Sequence, residues 1–151
     1  MSEKEIIKRP AVILIGSRII QDGTEEKTES RSHGFWESSP DKDVIIYTEI
    51  ISEGEDAVPV CLTVRRRERT GGFEAEIEKD GFIRSEMLFI EDERTGTVYE
   101  TPMGNLMFDI YCKRVSVEKK PSEAEIHLDY LLLGGDEVLS DASVHILVLA
   151  Q

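Results

Sequence analysis

Residues 87–114, MLFIEDERTGTVYETPMGNLMFDIYCKR, are the part of the sequence that decides the fold. Strand-like runs in this stretch are separated by a predicted turn at Thr95-Gly96 and by a corner at residues 99–104, which contains a proline and a glycine. After the corner every second residue is apolar, and the apolar positions are Leu106, Phe108, Ile110 and Cys112. Alternation with a period of two residues is typical of a β-strand with one buried face. The stretch therefore predicts strands and turns, and it contains no recognisable catalytic motif.

Similar alternating segments occur along the rest of the chain, about ten in all at short and regular spacing. Turn signals such as Asp80-Gly81 and Gly134-Gly135 join them,. No segment combines a helical period with helix caps. We therefore expect one all-β domain over residues 1–151, a single antiparallel up-and-down β-barrel of about 8–10 strands. Residues 1–9 are expected to form a loose N-terminal segment.

The charge of the chain limits its partners. There are 31 acidic residues against 18 basic residues, and the formal net charge is −13. A field of this sign repels phosphate backbones and anionic lipid surfaces. The one basic run, three arginines at residues 65–67, cannot line a single surface because successive strand residues point to opposite faces,. With no apolar run long enough to span a membrane and no signal peptide, we expect a cytoplasmic protein that binds neither nucleic acid nor membranes.

The reactive side chains do not form a recognisable site. Cys61 and Cys112 lie in apolar strand-like runs, so we expect buried free thiols and no disulfide. The three histidines, at positions 33, 127 and 145, do not have the spacing of metal ligands,. No nucleophile elbow or phosphate-binding loop is present. The sequence therefore predicts no catalytic residue, no metal site and no cofactor, and an enzyme ranks third, behind the two binding functions given below, because no acid, base and nucleophile converge.

Three sequence elements resemble one known family. They are residues 85–89 (SEMLF), 99–107 (YETPMGNLM) and 129–132 (DYLL). Together they make the chain similar to the YwiB-like family, and the resemblance extends from Ile13 to Leu149. The family pattern often has an arginine two residues before the hairpin glycine, where this chain has Lys79. The resemblance implies a bacterial domain of unknown function with a calycin-type, lipocalin-like β-barrel, and it implies no agreed activity.

The Asp80-Gly81 dipeptide predicts a hairpin with a two-residue turn. In that register three cross-strand pairs share one face of the sheet with each other; the pairs are Ile77 with Arg84, Ala75 with Glu86, and Phe73 with Leu88. An arginine and a glutamate would then lie among apolar neighbours. Two interpretations of this pair are open. Arg84 and Glu86 form a structural ion pair near the barrel mouth, or a bulge turns both of them outward. Alternatively, the guanidinium group of Arg84 anchors a ligand inside the barrel.

Three further residues extend this candidate ligand site. Tyr99 and Thr101 continue the same face if the register is kept, although turn chemistry and packing explain them equally well. Trp36, which follows Gly34 and Phe35, is placed to cap a cavity or to pack in the core,. The candidate ligand-binding residues are therefore Arg84, Glu86, Tyr99, Thr101 and Trp36.

Two functions are compatible with this sequence. The first is a non-enzymatic binding module that holds a small, partly apolar ligand in the barrel. The second is a protein-interaction domain with a filled barrel, whose acidic surface binds a basic partner. The space inside the barrel separates them, because a small-molecule site needs a cavity of several hundred cubic ångströms.

Overall fold

The computed structural model describes residues 6–50 and 57–151, and these residues form ten β-strands. In chain order the strands are β1 (Ile7–Gln21), β2 (Thr24–Ser38), β3 (Lys42–Ile50), β4 (Ala57–Arg66), β5 (Phe73–Asp80), β6 (Arg84–Ile90), β7 (Arg94–Thr101), β8 (Gly104–Lys120), β9 (Glu123–Gly134) and β10 (Glu137–Ala150). Each strand pairs antiparallel with the next, and β10 pairs with β1 to close the barrel. The predicted all-β, up-and-down barrel is confirmed.

Strands of alternating direction place successive connections at opposite ends of the barrel. We call the end that carries the connections after odd-numbered strands the upper end, and the other the lower end. Residues 1–9 are expected to form a loose segment, but Ile7, Lys8 and Arg9 already belong to β1 and pair with β2. Residues 1–5 lie outside the described range. No helix in the described ranges is long and apolar enough to cross a membrane.

Large apolar side chains fill the lumen from the lower end to its middle. Alternate residues of each strand point inward, and the largest of them have almost no exposed surface: Trp36, Phe89, Ile13, Ile45, Leu62, Ile110, Ile126, Leu128 and Ile146. Burying a side chain of this kind stabilises the fold by about 1.5–3 kcal/mol. A side chain with no accessible surface leaves no space for water beside it. Solvent reaches inner-wall side chains towards the upper end, where Ile77 and Tyr130 are only partly buried.

A polar network closes the lower end of the barrel beneath this core. The indole Nε1 of Trp36 donates a hydrogen bond of 2.9 Å to the buried carboxylate of Asp43. Lys119 Nζ lies 3.2 Å from the same carboxylate and donates to the carbonyl oxygen of Ser39 at 2.8 Å. The guanidinium group of Arg9 stacks 4.6 Å from the centre of a Trp36 ring. The network satisfies the polar groups that a buried tryptophan and a buried carboxylate bring into the core.

The strands of the barrel are joined unevenly. β1 and β2 pair along their whole length, whereas β2 and β3 pair only from Gly34–Tyr47 to Ser38–Asp43, near the lower end. A Cβ atom at Gly34 would lie 2.0 Å from the carbonyl oxygen of Ile46, so the close approach of β2 to β3 requires glycine there,. The β6–β7 seam has two register pairs, both near the upper end.

Two predicted turns differ from the structure. Thr95 and Gly96 lie inside β7, and the turn before it is formed by residues 91–93, where Asp92 has a φ of 62°. The predicted two-residue turn at Asp80-Gly81 is wrong as well, because Asp80 pairs with Arg84 and the loop has the three residues 81–83. Gly81 packs on β4, where a Cβ atom would lie 2.8 Å from a methyl group of Val58. This close contact requires glycine at position 81.

The two cysteines are free thiols. Cys112 is buried in the core beside Ile110, as predicted from the alternating residues of β8. Cys61 is only partly buried, because it pairs with Ile46 and Glu78 on the outer wall.

Candidate functional site

Arg84 and Glu86 lie on the outside of the barrel. The longer loop shifts the β5–β6 register by one residue, so Met87 faces Ile77 and Phe89 faces Ala75. A shift of one residue exchanges the two faces of a strand. The hypothesis that Arg84 and Glu86 face the interior is therefore wrong, although a binding role for them stays a prediction.

Tyr99 and Thr101 point to the inner side of β7, but both have structural partners. The hydroxyl of Tyr99 lies 3.8 Å from Met87 Sδ, its ring packs edge-on against Phe108, and burial raises the pKa of its phenol. Thr101 Oγ1 donates to the carbonyl oxygen of Gly104 at 2.6 Å and so closes the turn before β8.

Trp36 lies in the packed lower part of the lumen, with no exposed surface. The structure does not bring it together with Arg84, Glu86, Tyr99 and Thr101. It acts as a core residue in the polar network described above, and the sequence-based interpretation of Trp36 as part of the core is the one that its geometry supports.

A groove of about 600 Å³ runs along the outer wall over the β6–β7 seam. We call it the seam groove, and it is lined by Glu78, Lys79, Asp80, Arg84, Ser85, Glu86, Gly96, Thr97, Val98, Glu100 and Asn105. Sequence reasoning did not find this groove. Its only visible signals were the alternating glutamates before Asp80 and the two threonines after Arg94, and neither signal shows which strands separate.

The seam groove is acidic. Four carboxylates line it, and both cations in its wall already have carboxylate partners. Lys79 Nζ lies 2.9 Å from Oε2 of Glu49, a residue that does not line the groove. Arg84 Nε lies 3.1 Å from Asp80 and 3.9 Å from Glu100. The groove therefore carries negative charge that its own cations do not balance.

Crowding among the carboxylates affects the pKa of one of them, Glu78. The pKa of Glu78 is raised, first by a hydrogen bond with Glu76 and also by repulsion from Glu76 and Glu86. Glu78 and Glu86 occupy one register position on β5 and β6, so their side chains are direct neighbours. A cation bound between them would relieve this repulsion.

Two threonine hydroxyls form the floor of the seam. The register of the two paired positions, Arg84–Glu100 and Ser85–Tyr99, does not continue along the strands. Instead Thr97 Oγ1 donates to the carbonyl oxygen of Glu86 and Thr95 Oγ1 donates to that of Leu88, each at 2.6 Å. Side chains thus replace backbone groups as donors across this seam.

Exposed apolar side chains flank the upper end of the seam groove. We call these residues the apolar rim: Phe82, Ile83, Val98, Met103 and Met107. Phe82 is 80% exposed and Met103 is 98% exposed, at the tips of the loops before β6 and β8. Met107 pairs with Val98, which itself lines the groove. An exposed apolar cluster beside a groove is typical of a surface that binds a partner.

A second polar cluster lies on β9 and β10. His127 and His145 share one register position, and their ring centres are 5.8 Å apart. His145 Nε2 lies 2.6 Å from Glu125, a contact that holds the pKa of that carboxyl below its usual range. Ser143 Oγ lies 3.2 Å from His127 Nε2, and Asp129 lies 3.4 Å from the same nitrogen.

This histidine cluster lacks the geometry of known reactive sites. A catalytic triad needs serine and carboxylate on different ring nitrogens, whereas both partners of His127 meet Nε2,. In the described ranges no group of three or more His, Cys, Asp or Glu side chains is arranged to hold a metal ion. The cluster is a cross-strand polar contact whose pairing the sequence could not show without the register.

Comparisons with known proteins agree with this architecture. The chain is similar to the crystal structure of the ywiB protein from Bacillus subtilis, with 18% sequence identity and a TM-score of 0.80. The similarity covers 97% of this chain and 95% of that chain, and at this identity it shows the fold. No curated protein matches the chain. Residues 13–146 match a family described as a domain of unknown function, DUF1934. Because the match spans most of the chain, the protein belongs to the DUF1934 family, as the resemblance to YwiB-like proteins implied.

Proposed function

We propose that the protein is a non-enzymatic interaction domain that binds a basic, partly apolar polypeptide segment in the seam groove. The observation that carries the proposal is the combination of a lumen filled from its lower end to its middle with an acidic groove on the outer wall. Packed side chains such as Trp36, Phe89 and Leu62 occupy the space in which a barrel of this size would hold a ligand,. A partner would therefore bind on the outer wall.

The charge and the apolar rim define the partner. Lysine or arginine side chains would pair with Glu78 and Glu86, which have no ion-pair partner among the described residues. Apolar side chains of the same segment would cover Phe82 and Met107, which are now exposed. A second copy of this chain is a poor partner, because two molecules with a net charge of −13 repel each other,. The same field makes nucleic acids and anionic membranes poor partners.

A small, partly apolar ligand at the upper mouth of the barrel is the second candidate. The observation that favours it is the partial exposure of inner-wall residues there, including Ile77, Tyr130 and Leu132. Native mass spectrometry of protein purified without refolding tests this candidate, because a bound molecule would add a defined mass. If every preparation shows only the mass of the polypeptide chain, this second candidate is rejected.

A binding experiment with a defined probe tests the main proposal. The probe is a short fluorescent peptide that alternates lysine with valine, and the control peptide has glutamate in place of lysine. We expect fluorescence anisotropy to show binding of the lysine peptide only, and this binding should weaken as salt screens the exposed charges.

Charge-reversal variants locate the binding surface. Glu86→Lys should weaken binding of the lysine peptide at least tenfold, because it adds a positive charge to the lining of the groove. Glu118→Lys, an equal change on the exposed outer wall of β8, is the matched control and should leave the affinity within about twofold, since exposed charges at a distance are screened,. Equal loss in both variants would assign the binding to net charge alone. Equal binding of the two peptides would also refute the proposal.

A further inference from the structure

We propose that the bound segment enters the β6–β7 seam as an added strand, instead of lying on top of the groove. This inference rests on the proposed function, since it states how the same site holds its partner. It starts from the backbone pairing of β6 and β7, which is much shorter than the strands themselves. β6 spans Arg84–Ile90, yet the register pairs end at Ser85.

The existing register shows which backbone groups are left over. Continued along the strands, it would place Glu86 opposite Val98 and Leu88 opposite Gly96. The N–H groups of Val98 and Gly96 would then donate to the carbonyl oxygens of Glu86 and Leu88. Those two oxygens accept from the hydroxyls of Thr97 and Thr95 instead. Beyond the Ser85–Tyr99 pair the seam is therefore held by side-chain hydrogen bonds, which a new strand can replace.

Each side of the seam is firmly held on its other edge. β6 pairs with β5 from Glu74–Ile90 to Asp80–Arg84, and β7 pairs with β8 from Arg94–Tyr111 to Thr101–Gly104. Arg94 ties β7 further to Asp109 at 2.7 Å and to the carbonyl oxygen of Gly135 at 2.6 Å. Opening the seam would turn the closed barrel into one open sheet with β6 and β7 as its edges, and would leave both of these ladders unbroken.

An extended polypeptide matches the chemistry of both edges. Its N–H and C=O groups point to both sides, so it would pair antiparallel with one strand of the seam and parallel with the other. Insertion would widen the wall by about 4.8 Å, the spacing of neighbouring strands. Side chains of the added strand would alternate between Glu86 and Glu78 outside and the core inside. This alternation selects a segment in which basic and apolar residues alternate.

Amide hydrogen exchange with the lysine–valine peptide tests this inference. In the bound state we expect the N–H groups of Val98 and Gly96 to exchange at least tenfold more slowly than in the free protein. A peptide that lies over the groove would leave these two amides unchanged. Binding without this protection would overturn the inserted strand and leave the proposed function standing, whereas absence of binding would remove both.

A substitution beneath the groove gives a second readout. Thr97 lines the groove with only 3% of its surface exposed, and its hydroxyl is bonded to the carbonyl oxygen of Glu86, so a peptide that leaves the seam closed does not change this hydrogen bond. Thr97→Val removes the donor that holds the closed seam and should tighten peptide binding about fivefold, the equivalent of one hydrogen bond. Thr63→Val, on the outer wall of β4, is the matched control and should have no effect. Unchanged or weaker binding by folded Thr97→Val would count against the inserted strand.

Discussion

Replacing Lys119 by methionine tests the polar network at the lower end of the barrel. The carboxylate of Asp43 has a side-chain exposure of only 8% and takes its charge partner from Lys119, 3.2 Å away. Removing one partner of a buried ion pair costs about 3–5 kcal/mol, because the remaining charge is left in a poorly hydrated site. Lys119 itself is 31% exposed, so water screens part of the interaction. We therefore expect Lys119→Met to lower the free energy of unfolding by about 2–3 kcal/mol.

Urea unfolding at pH 7 measures this change directly. Trp36 is the only tryptophan and is fully buried, so its fluorescence reports the transition. The double variant with Asp43→Asn should recover about half of the loss, because the amide oxygen still accepts from Trp36 but carries no charge,. Lys120→Met is the control, since Lys120 is exposed and should stay within about 0.5 kcal/mol of the parent,. A similarly small effect of Lys119→Met would refute the reasoning.

Two further predictions concern the β2–β3 contact and the core thiol. Gly34→Ala should destabilise the protein by at least about 3 kcal/mol, because its Cβ would overlap the backbone of Ile46, and an unchanged urea midpoint would contradict this,. Burial raises the pKa of the Cys112 thiol from its ordinary value to about 11. The folded state therefore keeps this proton while the unfolded state loses it, and stability should fall as the pH rises from 9 to 11,. Cys112→Ala should reduce this loss of stability by about 1–2 kcal/mol when the free energy of unfolding is measured at pH 9 and pH 11. Equal pH profiles for parent and variant would contradict this and show that the thiol is solvated.

Local patterns were sufficient to predict the strands and several of their faces. Alternation from Leu106 to Cys112 predicted the inner face of β8 correctly, because side-chain direction in a strand depends only on position along it. The number of strands and the up-and-down order followed from the spacing of turn residues. These features depend on residues that are close together in the sequence, so they can be read from one sequence alone.

Register and groove could not be predicted, because both depend on contacts between distant segments. The Asp80-Gly81 signal is local, but the loop length follows from the pairing of β5 with β6, which places Asp80 opposite Arg84. One residue of error moved Arg84 and Glu86 from the outer to the inner face in the prediction. The seam groove exists because β6 and β7 separate after Ser85, and no residue pattern marks the point where two strands separate.

The pairing of β1 with β10 also determines when the fold can be completed. It joins Ile13 to Val148 and so connects strands from opposite ends of the described chain. The apolar side chains of β1 therefore lack one neighbouring wall during synthesis until β10 has left the ribosome. Contacts between residues so far apart in sequence form late and slow the search for the native state, as in other all-β proteins that fold in milliseconds to seconds. The hairpin of β1 and β2, paired along its length by neighbouring residues, is expected to form first and to wait for closure.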